Sequence, residues 1–538
     1  MKATLIKVCG VGCLVALLMF SNKASGQQTV FTIMKHDSEL AQSFFEQGNY
    51  REAVEIFSRQ LRQGAGKETH IKLARCYFAL KEHQNAVASY EQYQQAGGDL
   101  SLDDLYNYAE AECAQANYDK ALSIYKAYIK RDPDNDLVMK KVWQLDNRSA
   151  LYEDSTHFAI RSLPFNTGLG ELCVVPHHDE LYFMSNRSRP ELIERINPNT
   201  QASLYGIFQT KKIQDTATHQ VTYKSPMLFK EIRNSKSNVG PLAFYQNYTK
   251  LIFVAASQKS TKKKGTLGLF FAEQANGEWI IKDEFQYNSD QYSISDPAIS
   301  SDGLVLYFSS DMKGGQGGRD LYRSDFSNSR WTRPVNLGAA INTSKEEVFP
   351  FLHKDQTLYF SSNGHPGLGG LDIFISEKQS GDFAEPRNAG YPLNSCLDDF
   401  GISIDSTSTG GYFTSNRKNG GFDDDLYAFE MDLQTYPLVL TGMMRFKENV
   451  NVDDADMVAL VDVKFSLIDN VRKVTVVESN TDSQGRFEIT IPYFSNYLVR
   501  VVGSDGEEHI AVLSIPRYRK EFSSYEIVFV KDSYQTIR

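Results

Sequence analysis

Two internal periods run through this sequence. A chain that repeats itself at a fixed interval is built from like units, which bury their apolar faces only against one another. Between residues 37 and 135 the pattern is Ala41-x-x-Phe44, Ala53 and Phe57, then Ala74-x-x-Tyr77, Ala86 and Tyr90, then Ala109, Ala121 and Tyr125. Ala53, Ala86 and Ala121 stand 33 and 35 residues apart. From about residue 157 the interval changes. Phe183, Phe253, Phe308, Phe360 and Phe413 each close a short Tyr-Phe or Ile-Phe run, at separations of 70, 55, 52 and 53 residues.

The first period is helical. Small alanines suit the close crossing of two antiparallel helices, and the aromatic residue four positions on fills the space to the next pair. Asp132-Pro133-Asp134-Asn135 ends the third repeat, because proline stops a helix. Residues 136–148 are expected to form a capping helix over the last apolar face. An interval near 34 with this alanine and aromatic spacing resembles the tetratricopeptide repeat. That resemblance implies a helical stack over residues 27–150 with a short concave groove, lined by Gln42, Phe45, Arg75, Phe78, Tyr106 and Glu110. The groove reads either as a protein-docking surface or as a face packed on its own neighbouring domain. Its lining lacks the Lys and Asn cluster that would clamp a free C-terminal carboxylate.

The second period is strand-rich. Before the Phe runs come segments such as Asp296-Pro297-Ala298-Ile299-Ser300-Ser301-Asp302-Gly303, whose Asp-Gly pair marks a hairpin. After them come Gly317-Gly318-Arg319-Asp320, Gly369-Gly370-Leu371-Asp372 and Gly420-Gly421-Phe422-Asp423-Asp424-Asp425. Units of about 50 residues with four short strands indicate a β-propeller. Five copies predict five blades over residues 155–433, with Phe158-Ala159-Ile160-Arg161 as a stray outer strand that completes the last blade. The motifs resemble the WD40-like repeats of periplasmic propellers. The aligned Asp320, Asp372 and Asp425 read as structural carboxylates that lock their hairpins. The competing reading is a ring of ligands, and Ser203 and Gly268 at the matching places in the first two blades would break that ring. The Lys259, Lys262, Lys263 and Lys264 run reads as a solvated loop.

Residues 437–532 alternate as half-buried strands. Thr481-Asp482-x-x-Gly485-x-Phe487 followed by Tyr497-x-Val499 resembles the carboxypeptidase regulatory-like domain, which implies a transthyretin-like β-sandwich. The fold class expected is therefore multidomain, α plus all-β: a tetratricopeptide α-solenoid, a five-bladed β-propeller and a β-sandwich.

The first 26 residues read as an export signal, with Lys2 and Lys7, an apolar run from Val8 to Phe20, and Ala24-Ser25-Gly26 at a cleavage site. Gly10, three before Cys13, departs from a lipoprotein signal. Removing the segment takes three lysines from a chain whose formal charge is already −10. So acidic a chain lacks the basic footprint of a nucleic-acid binder. Cys76, Cys113, Cys173 and Cys396 then remain, without zinc-site spacing. They are expected to stay unpaired, with a Cys173–Cys396 bridge as the alternative.

No catalytic set emerges. The strings His36/Glu39 and His177/Glu180 lack the second histidine of a zinc peptidase, and neither a nucleophile elbow nor a phosphate-binding loop is present. No enzyme, metal or cofactor is expected. The domain order resembles Bacteroidetes periplasmic proteins that end in an OmpA-like peptidoglycan-binding domain, one of which belongs to the type IX secretion machinery. Here only eight residues follow Val530, so peptidoglycan contact is expected only through another protein or a missing domain. The resemblance implies a periplasmic, outer-membrane-associated scaffold for envelope proteins, with no membrane span of its own. The alternative is a carbohydrate- or peptide-sensing protein that uses the propeller channel.

Overall fold

The computed structural model describes residues 37–188, 203–214, 221–230, 239–256, 265–353, 356–379, 381–405, 409–418, 421, 423–433, 437–447, 457–470, 473–493, 495–502, 508–515, 525–530 and 535–536. Residues 1–26, on which the export reading falls, and also His36 and the Lys259–Lys264 run, lie outside the described residues. Two compact units emerge, Met1–Tyr152 with Ser162–Ser403 and Tyr412–Ala428, and Glu153–Arg161 with Ile404–Gly411 and Phe429–Arg538.

Among the described residues seven helices open the first unit: α1 (Asp37–Glu46), α2 (Tyr50–Arg62), α3 (Glu68–Ala79), α4 (His83–Gln95), α5 (Leu102–Cys113), α6 (Tyr118–Ile129) and α7 (Asp136–Asp146). They pair as α1–α2, α3–α4 and α5–α6, with α7 against α6 as the cap. The repeat alanines stand where the spacing requires: Ala41, Ala53, Ala74, Ala86, Ala109 and Ala121 are all fully buried. Phe57, Tyr90 and Tyr125 are buried beside them. Past Pro133, the Asn135 side chain accepts the Val138 N–H at 3.2 Å and starts α7.

Among the described residues five antiparallel sheets of four or five strands follow, with a two-stranded pair, Lys378–Gln379 and Asp382–Phe383, beside the fourth in sequence. Their inner strands are Glu171–His177, Val239–Tyr245, Ile294–Ile299, Glu347–Leu352 and Asp399–Ile404. The second strands are Glu180–Ser185, Lys250–Ala256, Val305–Ser310, Leu358–Ser362 and Gly410–Ser415. The third are Gly206–Gln214, Leu267–Ala275, Asp320–Ser327, Asp372–Ser376 and Asp425–Met431. The fifth sheet takes its outer strand, Phe158–Ser162, from the front of the chain. Each periodic phenylalanine lies on a second strand and is buried, a burial that contributes about 1.5–3 kcal/mol apiece. The Asp302-Gly303 turn forms as read, with Gly303 at φ +78 and the Asp302 carboxylate accepting the Leu304 N–H at 2.9 Å.

The last blade joins the first through Asn166. Its side chain accepts the Leu426 N–H at 3.0 Å and donates to the Leu426 carbonyl at 2.8 Å, and the Leu163 N–H reaches the same carbonyl at 2.9 Å. The same clamp recurs from Asn288 to Leu269, Asn342 to Leu321 and Asn394 to Ile373. Each asparagine stands in the connection to the next blade and satisfies both backbone groups of a third-strand residue in the blade before it.

In the second unit, Leu438–Lys447, Val458–Ala459, Arg486–Ile491 and Tyr525–Val530 form one sheet. Lys464–Asp469, Thr475–Asn480, Ser495–Val502, Glu508–Ile515 and Gln535–Thr536 form the other. One core of Leu440, Met444, Phe465, Leu467, Phe487, Tyr497 and Val499 draws on both sheets, which makes this part a β-sandwich. The Asp482 carboxylate accepts the N–H groups of Gln484 and Arg486, both at 2.8 Å, and so closes the turn before Phe487. Among the described residues no helix is long and apolar enough to cross a membrane.

Candidate functional site: the inner face of the helical repeats

The six groove residues fall on the first helix of each repeat, two on α1, two on α3 and two on α5. Their surroundings differ sharply from one end of the stack to the other. On α1, Gln42 hydrogen-bonds Glu46 at 2.9 Å within its own helix, and the Phe45 ring meets Tyr50 edge-on at 5.7 Å. On α3, the Arg75 guanidinium forks onto the Asp104 carboxylate of α5 at 2.8 and 2.7 Å. Burial pushes the Asp104 carboxyl up, but the hydrogen bonds from Arg75 and Ser101 outweigh it and hold the group below its ordinary value. The outer side of Arg75 stays exposed. Phe78 meets His83 edge-on at 6.1 Å.

On α5 the face is already engaged. The Glu110 carboxylate accepts Lys141 Nζ of α7 at 2.7 Å and the Tyr125 hydroxyl. Burial alone would lower the Lys141 ammonium, and Glu110 overrides it, so the pair is an internal tie between the third repeat and its cap. Tyr106 lies edge-on to Tyr125 at 6.0 Å, and its face carries Lys345 Nζ, 4.2 Å from the ring centroid. Lys345 belongs to the connection into blade four. The groove expected over all three repeats is therefore occupied at the third. At the third, Glu110 is neutralised by its own cap and Tyr106 is covered by the propeller.

Further contacts bind the repeats to the propeller. Lys81, in the turn after α3, pairs with Asp398 before the inner strand of blade five. The Tyr391 N–H donates to the Leu151 carbonyl at 2.7 Å, and Tyr152 stacks on Tyr391 at 5.2 Å.

Within the propeller, Asp320, Asp372 and Asp425 each begin a third strand and are buried. Asp320 accepts the Gly317 N–H at 3.0 Å and the Asn336 side chain at 2.7 Å, as well as the Gln316 N–H. Asp372 accepts the Leu368 N–H at 2.6 Å, and burial, with Asp399 nearby, pushes its carboxyl well up. Lys418 Nζ stands 4.0 Å from Asp425. Strand pairing sets Gly268 opposite Ala255 in blade two and Gly206 opposite Ser185 in blade one. The matching position in blade one is thus Gly206, three residues beyond Ser203, because register counts from the Phe183–Phe208 pair and not from the preceding loop.

A motif that sequence reasoning missed lies beside the asparagine clamps. Asn166-Thr167, Asn342-Thr343 and Asn394-Ser395 are each followed, four residues after the hydroxyl residue, by a buried acid at the start of an inner strand. Thr167 hydrogen-bonds Glu171, Thr343 bonds Glu347 and Ser395 bonds Asp399, by side chain and backbone alike. The spacing Asn-Thr/Ser-x-x-x-Glu/Asp was the available signal.

Bulges interrupt the inner strands of blades one to four. Inner-strand register skips between Leu172 and Val175, Val239 and Leu242, Ser295 and Ala298, and Val348 and Phe351. Cys173, Asp296, Phe349 and Gly401 all take positive φ there. A side chain at Gly401 would press within 2.9 Å of Cys173 Sγ. The Asp296 carboxylate accepts Ser309 Oγ at 2.5 Å and Ser295 Oγ at 3.1 Å. All four described cysteines are free. His177 and Glu180 face each other across a two-residue hairpin turn. Among the described residues no group of three or more His, Cys, Asp or Glu side chains is placed to hold a metal ion.

Tetratricopeptide repeat models match residues 38–100 and 105–135. No curated protein matches the chain. Among solved structures, a protein of unknown function from Dyadobacter fermentans is 13% identical over 50% of this chain and 78% of its own, with a TM-score of 0.31. A GH43 beta-xylosidase/alpha-arabinofuranosidase from a compost metagenome is 10% identical over 52% of this chain and 96% of its own, at 0.33. An exo-beta-1,3-galactanase from Clostridium thermocellum is 10% identical over 69% and 90%, at 0.30. These likenesses are too slight to carry a conclusion about fold or activity.

Proposed function

We propose that this chain is a non-catalytic, exported scaffold that gathers cell-envelope proteins, with the inner face of its first two helical repeats as the docking surface. The observation that carries the reading is the unequal occupation of that face. Gln42 and Phe45 are half-exposed and meet only their own repeat, and Arg75 is exposed though held by Asp104 of the next, whereas Tyr106 carries Lys345 of the propeller and Glu110 is tied to Lys141 of the cap. Tetratricopeptide stacks present such concave faces to protein segments. Export rests on the sequence of residues 1–26, and the envelope setting on the domain order.

The test is capture of envelope proteins by the purified chain, compared with an Arg75→Glu, Phe45→Ala variant. Retention of the same partners by both would refute docking on this face. Sedimentation of the chain alone with peptidoglycan sacculi would refute the expectation that cell-wall contact goes through another protein. The rival reading places a small ligand in the propeller channel. A several-degree thermal shift with an oligosaccharide would support it.

A further inference from the structure

We propose that the outer face of α7 is a self-association surface, on which a second copy of this chain docks its own α7 antiparallel, about a twofold axis through Trp143. The face lies at the opposite end of the helical stack from α1 and is independent of the docking surface on the first two repeats.

A helix turns about 100° per residue. On α7, Val138, Lys141 and Leu145 therefore share one side and are buried, while Asp136, Met139, Lys140, Trp143 and Asp146 share the other and are exposed. Trp143 stands at the middle of that exposed arc at 65% exposure, with Met139 one turn before it at 42%. The last helix of a stack ordinarily turns a polar face outward, because no further repeat covers it. An indole at its centre, ringed by charged and polar side chains, is instead the pattern of an interface anchor.

The charges around Trp143 select the occupant. Lys140 stands three residues before it and Asp146 three after. Antiparallel pairing about Trp143 sets Lys140 of each copy against Asp146 of the other, and Met139 against Asn147. The antiparallel register that sets Met139 against Trp143 brings Asp136 against Asp146. Parallel pairing sets every charge against its own like. Of the three, only the first joins opposite charges. Within one copy Lys140 pairs with Asp136 at 3.0 Å and Asp146 with Lys126 of α6 at 3.2 Å, all four side chains being exposed. Exposed pairs of this kind contribute little, so both groups are free to turn to a second copy. One self-complementary patch, used twice, closes a twofold pair. A helix of 11 residues offers a small contact, so the dimer is a reversible one.

The experiment is sedimentation of the full chain across a range of concentrations. The wild type should shift from one copy to two as concentration rises. Trp143→Ala should weaken the association at least about tenfold, with the melting temperature of the monomer unchanged because the ring is exposed. Lys140→Asp and Asp146→Lys should each stay monomeric alone, and an equimolar mixture of the two should pair, since the acidic patch of one then meets the basic patch of the other. A wild type that remains a monomer throughout, a dimer that survives Trp143→Ala, or a mixture of the charge variants that associates no better than either alone overturns the inference.

Discussion

Lys81, at φ +60 in the turn after α3, extends its ammonium to Asp398, 317 residues further along the chain. Asp398 is largely buried, and its carboxylate also accepts the Leu371 N–H at 2.9 Å and the Asn416 side chain at 3.0 Å. Burial pushes the Asp398 carboxyl up, yet Lys81 and these donors together hold it below its ordinary value. The stability this pair contributes is present above the unfolded carboxylate range and is lost as pH falls through the lower folded value. Replacing Lys81 by Ala strands a buried charge, at a cost of about 1–3 kcal/mol, since the lysine itself is half-exposed. The measurable consequence is a lower unfolding midpoint at pH 7, together with faster proteolysis between the repeats and the propeller. An unchanged cleavage pattern would show that Lys81 does not hold the two together.

Asp424 behaves in the opposite sense. Burial pushes its carboxyl up to about 6, with Lys81 opposing and Asp398, Asp423 and Asp425 reinforcing the shift. A folded value above the unfolded one means that stability is fully present below about pH 4 and is lost as pH rises through 6. At neutral pH the ionised group is a burden of up to about 3 kcal/mol. Asp424→Asn should therefore raise the melting temperature by a few degrees at pH 7.5, with the gain fading toward pH 4. Melting curves across that range test it, and a gain independent of pH would assign the effect elsewhere.

The Asn166 clamp closes the propeller between residues 260 positions apart. Asn166→Ala leaves the Leu426 N–H and carbonyl without their side-chain partner and should cost about 1–3 kcal/mol. Asn342→Ala removes the same two hydrogen bonds between blades three and four. The two should cost alike in equilibrium unfolding. Asn166→Ala alone should expose the blade-one edge to amide exchange, because only there does the clamp join the two ends of the ring.

What could be read from the sequence was whatever recurs at short range. Ala86 and Tyr90 lie one helical turn apart, so their spacing declares a helix and a buried face before any fold is known. Phe308 and Phe360 declare strands in the same way. The asparagine clamps escaped because the partner of Asn166 is a leucine 260 residues on, and no local pattern marks Leu426 as its acceptor. Ser203 was matched to Asp320 by counting along a loop, whereas register is set by the Phe183–Phe208 pair. The groove was legible as a surface but not as an occupied one. Tyr106 and Lys345 are 239 residues apart in sequence and meet only when repeats and propeller dock.

Arg417 offers the sharpest test of how the blades are held. Its guanidinium reaches the fully buried Asp399 carboxylate at 2.5 Å, donates to the carbonyls of Pro392 and Leu393 at 2.8 and 2.7 Å, and lies over the Phe413 and Tyr427 rings. Arg187 repeats the arrangement in blade one with Glu171 at 3.0 Å and the Phe183 and Phe208 rings. A planar cation with five donors can satisfy a carboxylate, two carbonyls and two aromatic faces at once, which a lysine cannot. Arg417→Lys should therefore cost nearly as much as Arg417→Ala, about 3–5 kcal/mol, because both leave Asp399 buried without its full set of donors. Adding Asp399→Asn to Arg417→Ala should recover part of that loss by removing the stranded charge. Denaturant unfolding of the single and double variants decides the matter. A double variant no more stable than Arg417→Ala would mean that the aromatic packing of the guanidinium, and not its charge, holds blade five.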